Sequence, residues 1–446
     1  MTTKTIEANI NWEELTPDEK LDRRLQAWLS PPGINFASPE AEAGYKARVT
    51  RLTNAILLRK PDRVPVTPHL GEFAAAYCGY TEKDMWYDAD KVIEVATRCT
   101  LELDFDAKAD ASAPQGVAYE IIDERQRRWP GHGLPDDAAV QFIEGEYMKA
   151  DEYDAFILDE SDFRMRTYLP RVWGSAEGLH QLSFGAVRSF GLPEVQAALK
   201  KLMQAGEEAR RYEARISAAN KKLNELGYPD LRGGAGLAVT PFDRIGDNLR
   251  GQRGIALDMY KQPEKLLQAI DMLKKKAIMA IRRSGKTVKL GGSPIIGFPL
   301  HKGADSFMSD KQFRTFYWPS LREICQALIE EGFIPELRTQ GSYTTRLEAV
   351  RGSLPRGRVI WHLYLTDMKD AEEALGKDYC LVGAVPQSLL STGQPEQVEE
   401  YCKNLIELCG QDGGFIVSSP GALGADAKPD NVRAMILATK KYGVYK

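Results

Sequence analysis

Residues 332–367 read GFIPELRTQGSYTTRLEAVRGSLPRGRVIWHLYLTD, one complete strand–helix–strand unit. Phe333 to Arg338 is a short apolar strand. Gln340-Gly341-Ser342 is a turn, since Gly allows a positive φ and Ser suits the turn or cap. Tyr343 to Val350 is predicted as a helix, with Leu347 and Val350 at i, i+3 spacing. Leu354-Pro355-Arg356-Gly357 ends it, and Arg358 to Leu365 is the next strand, mostly apolar as buried parallel strands are. Arg338, Gln340, His362 and Tyr364 then fall at the carboxyl ends of the strands, where parallel α/β proteins place their chemistry.

The same rhythm extends outward. Further strand-like pieces are Arg63–Pro68, Phe105–Ala113, Leu237–Thr240, Thr287–Leu290, Cys380–Val385 and Gly414–Ser418. Helices are predicted over Pro263–Arg283, Asp310–Glu331, Asp367–Leu375, Pro395–Leu408 and Pro429–Tyr442. Repeated β–α units without GxGxxG or a Walker sequence favour a (β/α)8 TIM barrel over a doubly wound sheet. Residues 1–60 read as an N-terminal helical arm, opened by Pro17-Asp18-Glu19 and Ser38-Pro39-Glu40, and residues 61–446 as the barrel. Residues 117–190 are irregular, with a strand-like VAYEIID and the turn cluster WPGHGLPDD, and read as insertions over the barrel mouth. Pro193 to Leu226 is a long charged helix with a solvated face.

Length fits one large domain with extensions or two domains. A net charge of −4 over 446 residues gives no electrostatic footprint for nucleic acid. The start, MTTKTIEANINWEELTPDEK, resembles no signal or transit peptide, and no apolar run is long enough for a membrane span. The six cysteines carry no CxxC pairing, which suits reduced thiols in the cytoplasm. A homodimer is compatible with the sequence but not implied by it.

Five segments together resemble the uroporphyrinogen decarboxylase superfamily: RKPDRVPVTP (59–68), PFDRIGDNLRG (241–251), MSDKQFRTFYWPSLREI (308–324), LVGAVPQSLLSTGQPEQVEEYCKNLIE (381–407) and GGFIVSSPGALGADAKPDNVRAM (413–435). The resemblance implies a (β/α)8 barrel and either decarboxylation or corrinoid-dependent methyl transfer. The decarboxylase branch carries arginines after strand one, for substrate carboxylates. Here Thr67-Pro68-His69-Leu70-Gly71-Glu72 follows, without arginine. The zinc methyltransferases resemble His-x-Cys-Gly after one strand and Cys after the last. Arg338-Thr339-Gln340-Gly341 and Ala422 stand there instead, so that zinc site is expected to be missing, because Arg and Ala offer no ligand atom. Gln340-Gly341-Ser342 likewise replaces the Glu-Gly-Asp of ether-demethylating relatives.

The reading reached is a methyltransferase of the methyl ether O-demethylase type. It moves a methyl group from a small molecule, best an aryl methyl ether, to a corrinoid (cobalamin). Because Asp-x-His-x-x-Gly is missing, the corrinoid is expected on a separate partner protein. Arg338, Gln340, His362 and His301 are the candidate catalytic residues, as donors to the leaving oxygen. His69, Phe73, Phe242, Phe298, Tyr343 and Tyr364 are the candidate substrate contacts, the aromatics as flat apolar walls. Arg338 also has a structural reading, pairing with Glu336 two residues away on the same strand face. Asp104, Asp106 and Asp110 read as solvated loop acids. The rival functions are decarboxylase or lyase chemistry, with Arg338 clamping a carboxylate, and a non-catalytic ligand-binding protein.

Overall fold

A computed structural model describes residues 11–109, 114–233, 238–287 and 291–445. It is a mostly helical α/β fold around a parallel sheet. Five strands lie in consecutive order: β1 Ile295–Leu300, β2 Ile334–Thr339, β3 Ile360–His362, β4 Cys380–Ala384 and β5 Phe415–Ser418. Every neighbouring pair is parallel, with Gly297 opposite Glu336 and Arg338 opposite His362. Helices Trp318–Glu330, Met368–Leu375 and Pro395–Cys409 connect successive strands.

Backbone hydrogen bonds continue past both edges of the sheet. Val417 N donates to Pro65 O (2.9 Å), and Thr67 N returns one to Val417 O (3.0 Å). Asp106 N then donates to Val66 O, Lys108 N to Pro229 O, and Gly233 N to Ile295 O of β1. Three extended segments, near residues 64–67, 105–109 and 229–233, thus link β5 back to β1.

The strands sort their side chains by alternation. Ile296, Phe298, Leu300, Leu337, Trp361 and Leu381 belong to a large apolar cluster shared with the surrounding helices. Ile295, Ile334, Ile360, Cys380 and Ile416, near the amino ends, belong to a second cluster. Its other half comes from helices α1 Pro17–Leu29 and α2 Pro39–Ile56, through Leu21, Trp28, Tyr45 and Leu52. A full capping box at Thr16 and Glu19 starts α1, and Ser38 caps α2.

The structure departs from several sequence expectations. VAYEIID lies in helix Gly116–Ile122, because the chain packs Ala118 and Ile122 against the long helix Pro193–Glu225. WPGHGLPDD contributes to a three-stranded sheet of Arg127–Pro130, Gly133–Leu134 and Gln141–Phe142. Tyr343–Val350 is a 3₁₀ turn, Thr344–Arg346, followed by only four α-helical residues. Thr287 ends helix Pro263–Thr287, and residues 288–290 lie outside the described residues, as do 237 and Asp110. The strand expected there is β1, beginning at Ile295. Asp106 is buried rather than solvated. It accepts from Arg51 Nη1 (2.7 Å), Arg63 Nη2 (2.7 Å) and Val66 N (2.8 Å), partners gathered from far along the chain. Asp104 also pairs, with Arg48 and Lys440 at 2.5 Å each. All six cysteines are free, and five are buried.

Candidate active site

Above the apolar floor, the inward strand positions turn polar. Glu336 follows Ile334 on its face of β2, and His362 follows Ile360 on β3. Glu336 is 3% exposed and His362 2%, so both depend on protein partners. Glu336 takes a forked pair from Arg232, with Nη2 donating to Oε1 at 2.8 Å and Nε to Oε2. Gly297 makes room for the pair: a Cβ there would lie 3.1 Å from Arg232 Cδ and 3.2 Å from Glu336 Oε2. The planar fork of Arg232 matches the Glu336 carboxylate, a pairing the sequence did not suggest.

His362 Nε2 donates to the carbonyl of Ser419 (2.9 Å), while Nδ1 lies 3.4 Å from Glu336 Oε1, an ion-pair distance. The Ser419 carbonyl and the Glu336 carboxylate thus flank the two ring nitrogens of His362. His69 lies beside it, ring centroids 5.7 Å apart. Burial, then the positive charges of His362, Arg232 and Arg338, push His69 down to about 3, so its ring is neutral. Burial alone would raise the Glu336 carboxyl, but Arg232 and His362 hold it well below the usual carboxylate range.

His301 belongs to a different set of contacts. Its Nδ1 meets Asp247 Oδ2 at 2.6 Å, and Lys302 pairs with the same carboxylate. This hydrogen bond raises the His301 pKa despite burial. Asp243 lies beneath, accepting from His301 N (3.1 Å), Lys302 N (2.9 Å) and Tyr317 Oη (2.6 Å), and so fixes the loop that follows β1. Asp243 and Asp247 stand four apart on successive helical turns, a spacing visible in PFDRIGDN.

Arg338 is half-buried beside His362, and Gln340 is exposed at the turn beyond it. Tyr364 is half-buried and lines a 410 Å³ cleft with Gln387 and Tyr401. Phe73, Phe242, Phe298 and Tyr343 are at most 1% exposed, within the large apolar cluster. For Phe298 the cause is register: Gly297 shares the Glu336 face, so Phe298 points the other way. Tyr343 Oη donates to Leu300 O (3.3 Å).

Beside His69 is a 380 Å³ cavity, lined among others by Glu82, Trp86 and Ala422. Glu82, Trp86 and Arg232 are not among the residues that the sequence singles out. No motif marks them, and Arg232 meets its partner across 104 residues. Among the described residues, no group of three or more His, Cys, Asp or Glu converges to hold a metal ion. None of the described helices is long and apolar enough to cross a membrane.

Residues 236–442 match the family described as Uroporphyrinogen decarboxylase (URO-D). No curated protein matches the chain. Among solved structures, a methyltransferase from Methanosarcina mazei has a similar fold, with a TM-score of 0.54 at 15% identity. The match covers 88% of this chain and 98% of that one.

Proposed function

We propose, for a chain whose residues 236–442 match the uroporphyrinogen decarboxylase (URO-D) family, a methyl transfer from a small methylated molecule to the cobalt of a corrinoid carried by a separate protein. An aryl methyl ether is the favoured donor. The framework in this reading is a (β/α)8 barrel over residues 61–446, with residues 1–60 as an arm. The backbone hydrogen bonds that lead from β5 through three extended segments back to β1 support it.

One observation carries the functional reading. Arg338 and His362 sit side by side on adjacent strands, and His69, whose ring lies 5.7 Å from that of His362, lines a cavity suited to one small ring. A corrin macrocycle exceeds that cavity, so the corrinoid meets the substrate from outside. As the methyl–oxygen bond breaks, its electron pair stays on oxygen. Arg338 and His362 stabilise that growing charge, and His301, held by Asp247, and Gln340 supply donors at the rim. Loss of one such donor costs about 10²–10³ in rate in other enzymes. The rival with a carboxylated substrate fits less well, since Glu82 lines the cavity and, among the described residues lining it, there is no lysine or arginine.

Mixing the protein with a cobalt(I) corrinoid protein and 1,2-dimethoxybenzene tests the reading. The expected result is the absorbance change of methyl–cobalt formation. No change across a panel of methoxylated aromatics, with the corrinoid shown competent, would overturn it. Arg338, Gln340 and Ala422 offer no zinc site between them, so elemental analysis is expected to find less than one zinc per chain.

A further inference from the structure

We infer that the cavity beside His69 is the substrate chamber and that Glu82 is its specificity residue, selecting an uncharged single-ring molecule that carries a second oxygen. This rests on the methyl-transfer reading and goes beyond it by naming what the chamber accepts.

Two polar side chains of different chemistry line the chamber. His69, next to His362, is one. Glu82, in the first turn of the short helix Glu82–Tyr87, is the other. Met85, Trp86, Val92 and Val95 are among the walls. Trp86 is fixed from behind, stacked on Trp129 with centroids 5.8 Å apart and rings 19° from parallel. A rigid indole is a platform for a flat ring. The 380 Å³ volume is that of a small-molecule site.

Charge decides what enters. Burial, with Glu72 and Asp137 nearby, raises Glu82 to about 7. Cations on and around the neighbouring elements are engaged elsewhere: Lys83 with Asp136, Lys91 with Asp84, and Arg127 with Glu124. Glu120 accepts from Tyr87 Oη. His69, also in the lining, is neutral. At the Glu82 carboxyl a carboxylate ligand meets further acids, and among the described residues lining the cavity there is no lysine or arginine, whereas a protonated Glu82 donates its O–H to an ether or hydroxyl oxygen.

Binding can be read through tryptophan fluorescence without any corrinoid, which separates this inference from the methyl-transfer reading. The probes are 1,2-dimethoxybenzene, methoxybenzene and 4-methoxybenzoate. Wild type is expected to bind 1,2-dimethoxybenzene about tenfold more tightly than methoxybenzene, and 4-methoxybenzoate most weakly. Because the second ether oxygen only accepts, affinity for 1,2-dimethoxybenzene should fall as pH rises through about 7. Glu82→Gln keeps a donor and should remove that pH dependence. Glu82→Leu should erase the preference over methoxybenzene, and Glu82→Lys should reverse the order in favour of 4-methoxybenzoate. Circular dichroism identifies any variant that fails to fold, and the wild-type ranking stands without the variants. Tightest wild-type binding of 4-methoxybenzoate, or a Glu82→Leu protein with the wild-type preference, would overturn the inference. Binding as expected without methyl transfer would overturn only the reading of the previous subsection.

Discussion

Ile334 and Glu336 lie two residues apart on one strand and point the same way, yet they have opposite surroundings. The first is packed under Trp28 and its neighbours from α1 and α2; the second is held between Arg232 and His362. Ile360 and His362 repeat the contrast on the next strand. One end of the sheet interior is thus closed by hydrocarbon and the other is lined with charge. The apolar end gains stability by excluding water, roughly 25 cal/mol per Å² of apolar surface buried. At the polar end, desolvation offsets much of the Coulombic gain, so its charges are poorly explained by stability alone.

Several experiments would break or sharpen that contrast. The largest effect is expected from deleting residues 1–60, which uncovers Ile295, Ile334, Ile360 and Ile416. The truncated chain should lose its cooperative thermal transition, followed by circular dichroism. Glu336→Ala comes next: it leaves Arg232 and His362 facing a buried gap and should cost about 3–5 kcal/mol in urea unfolding. Arg338→Ala should lower kcat of methyl transfer by about 10²–10³ with little change in KM or Tm. A fall in Tm with kcat intact would make Arg338 a structural residue. Ile360→Val at the apolar end should cost about 0.5–1.5 kcal/mol and leave kcat unchanged.

A further test concerns acid. His69 is pushed down to about 3 in the folded protein, against about 6.5 in an unfolded chain. Between those values the unfolded chain binds more protons, so His69 lowers stability as pH falls from about 6.5 toward 3. His69→Phe should flatten that part of the profile, measured as the difference in urea midpoint between variant and wild type. Glu336 has the same slope at lower pH. Its depressed pKa contributes stability above about 4.3 that is lost as the carboxylate protonates.

What could be read beforehand follows from the range of the forces involved. The strands from β2 onward and their helices were legible, down to helix Pro429–Tyr442, because apolar runs and proline starts are local signals. That β3 would carry a polar group near its carboxyl end was legible in His362 for the same reason. Which face each residue takes was not. Phe298 looked like a pocket wall, but its register opposite Leu337 puts it in the large apolar cluster. Arg232 precedes a glycine-rich run of sequence, with nothing local to announce its partner. Glu82 looked like any acid in a first helical turn, since its environment is built by Glu72, Asp137 and a cavity assembled in three dimensions.

The apolar floor also sets the order of assembly. α1 and α2 are synthesised first, but the surface they cover is complete only when Ile416 has been made. Contacts such as Trp12 with Glu331 span 319 residues, and Lys20 with Glu331 spans 311. The arm therefore emerges from the ribosome with Leu21, Trp28 and Leu52 uncovered and docks late. Closing so long a loop is slow, and the waiting face is open to chaperones in the meantime. Substitutions in the arm should then speed unfolding while leaving the earlier folding steps almost untouched.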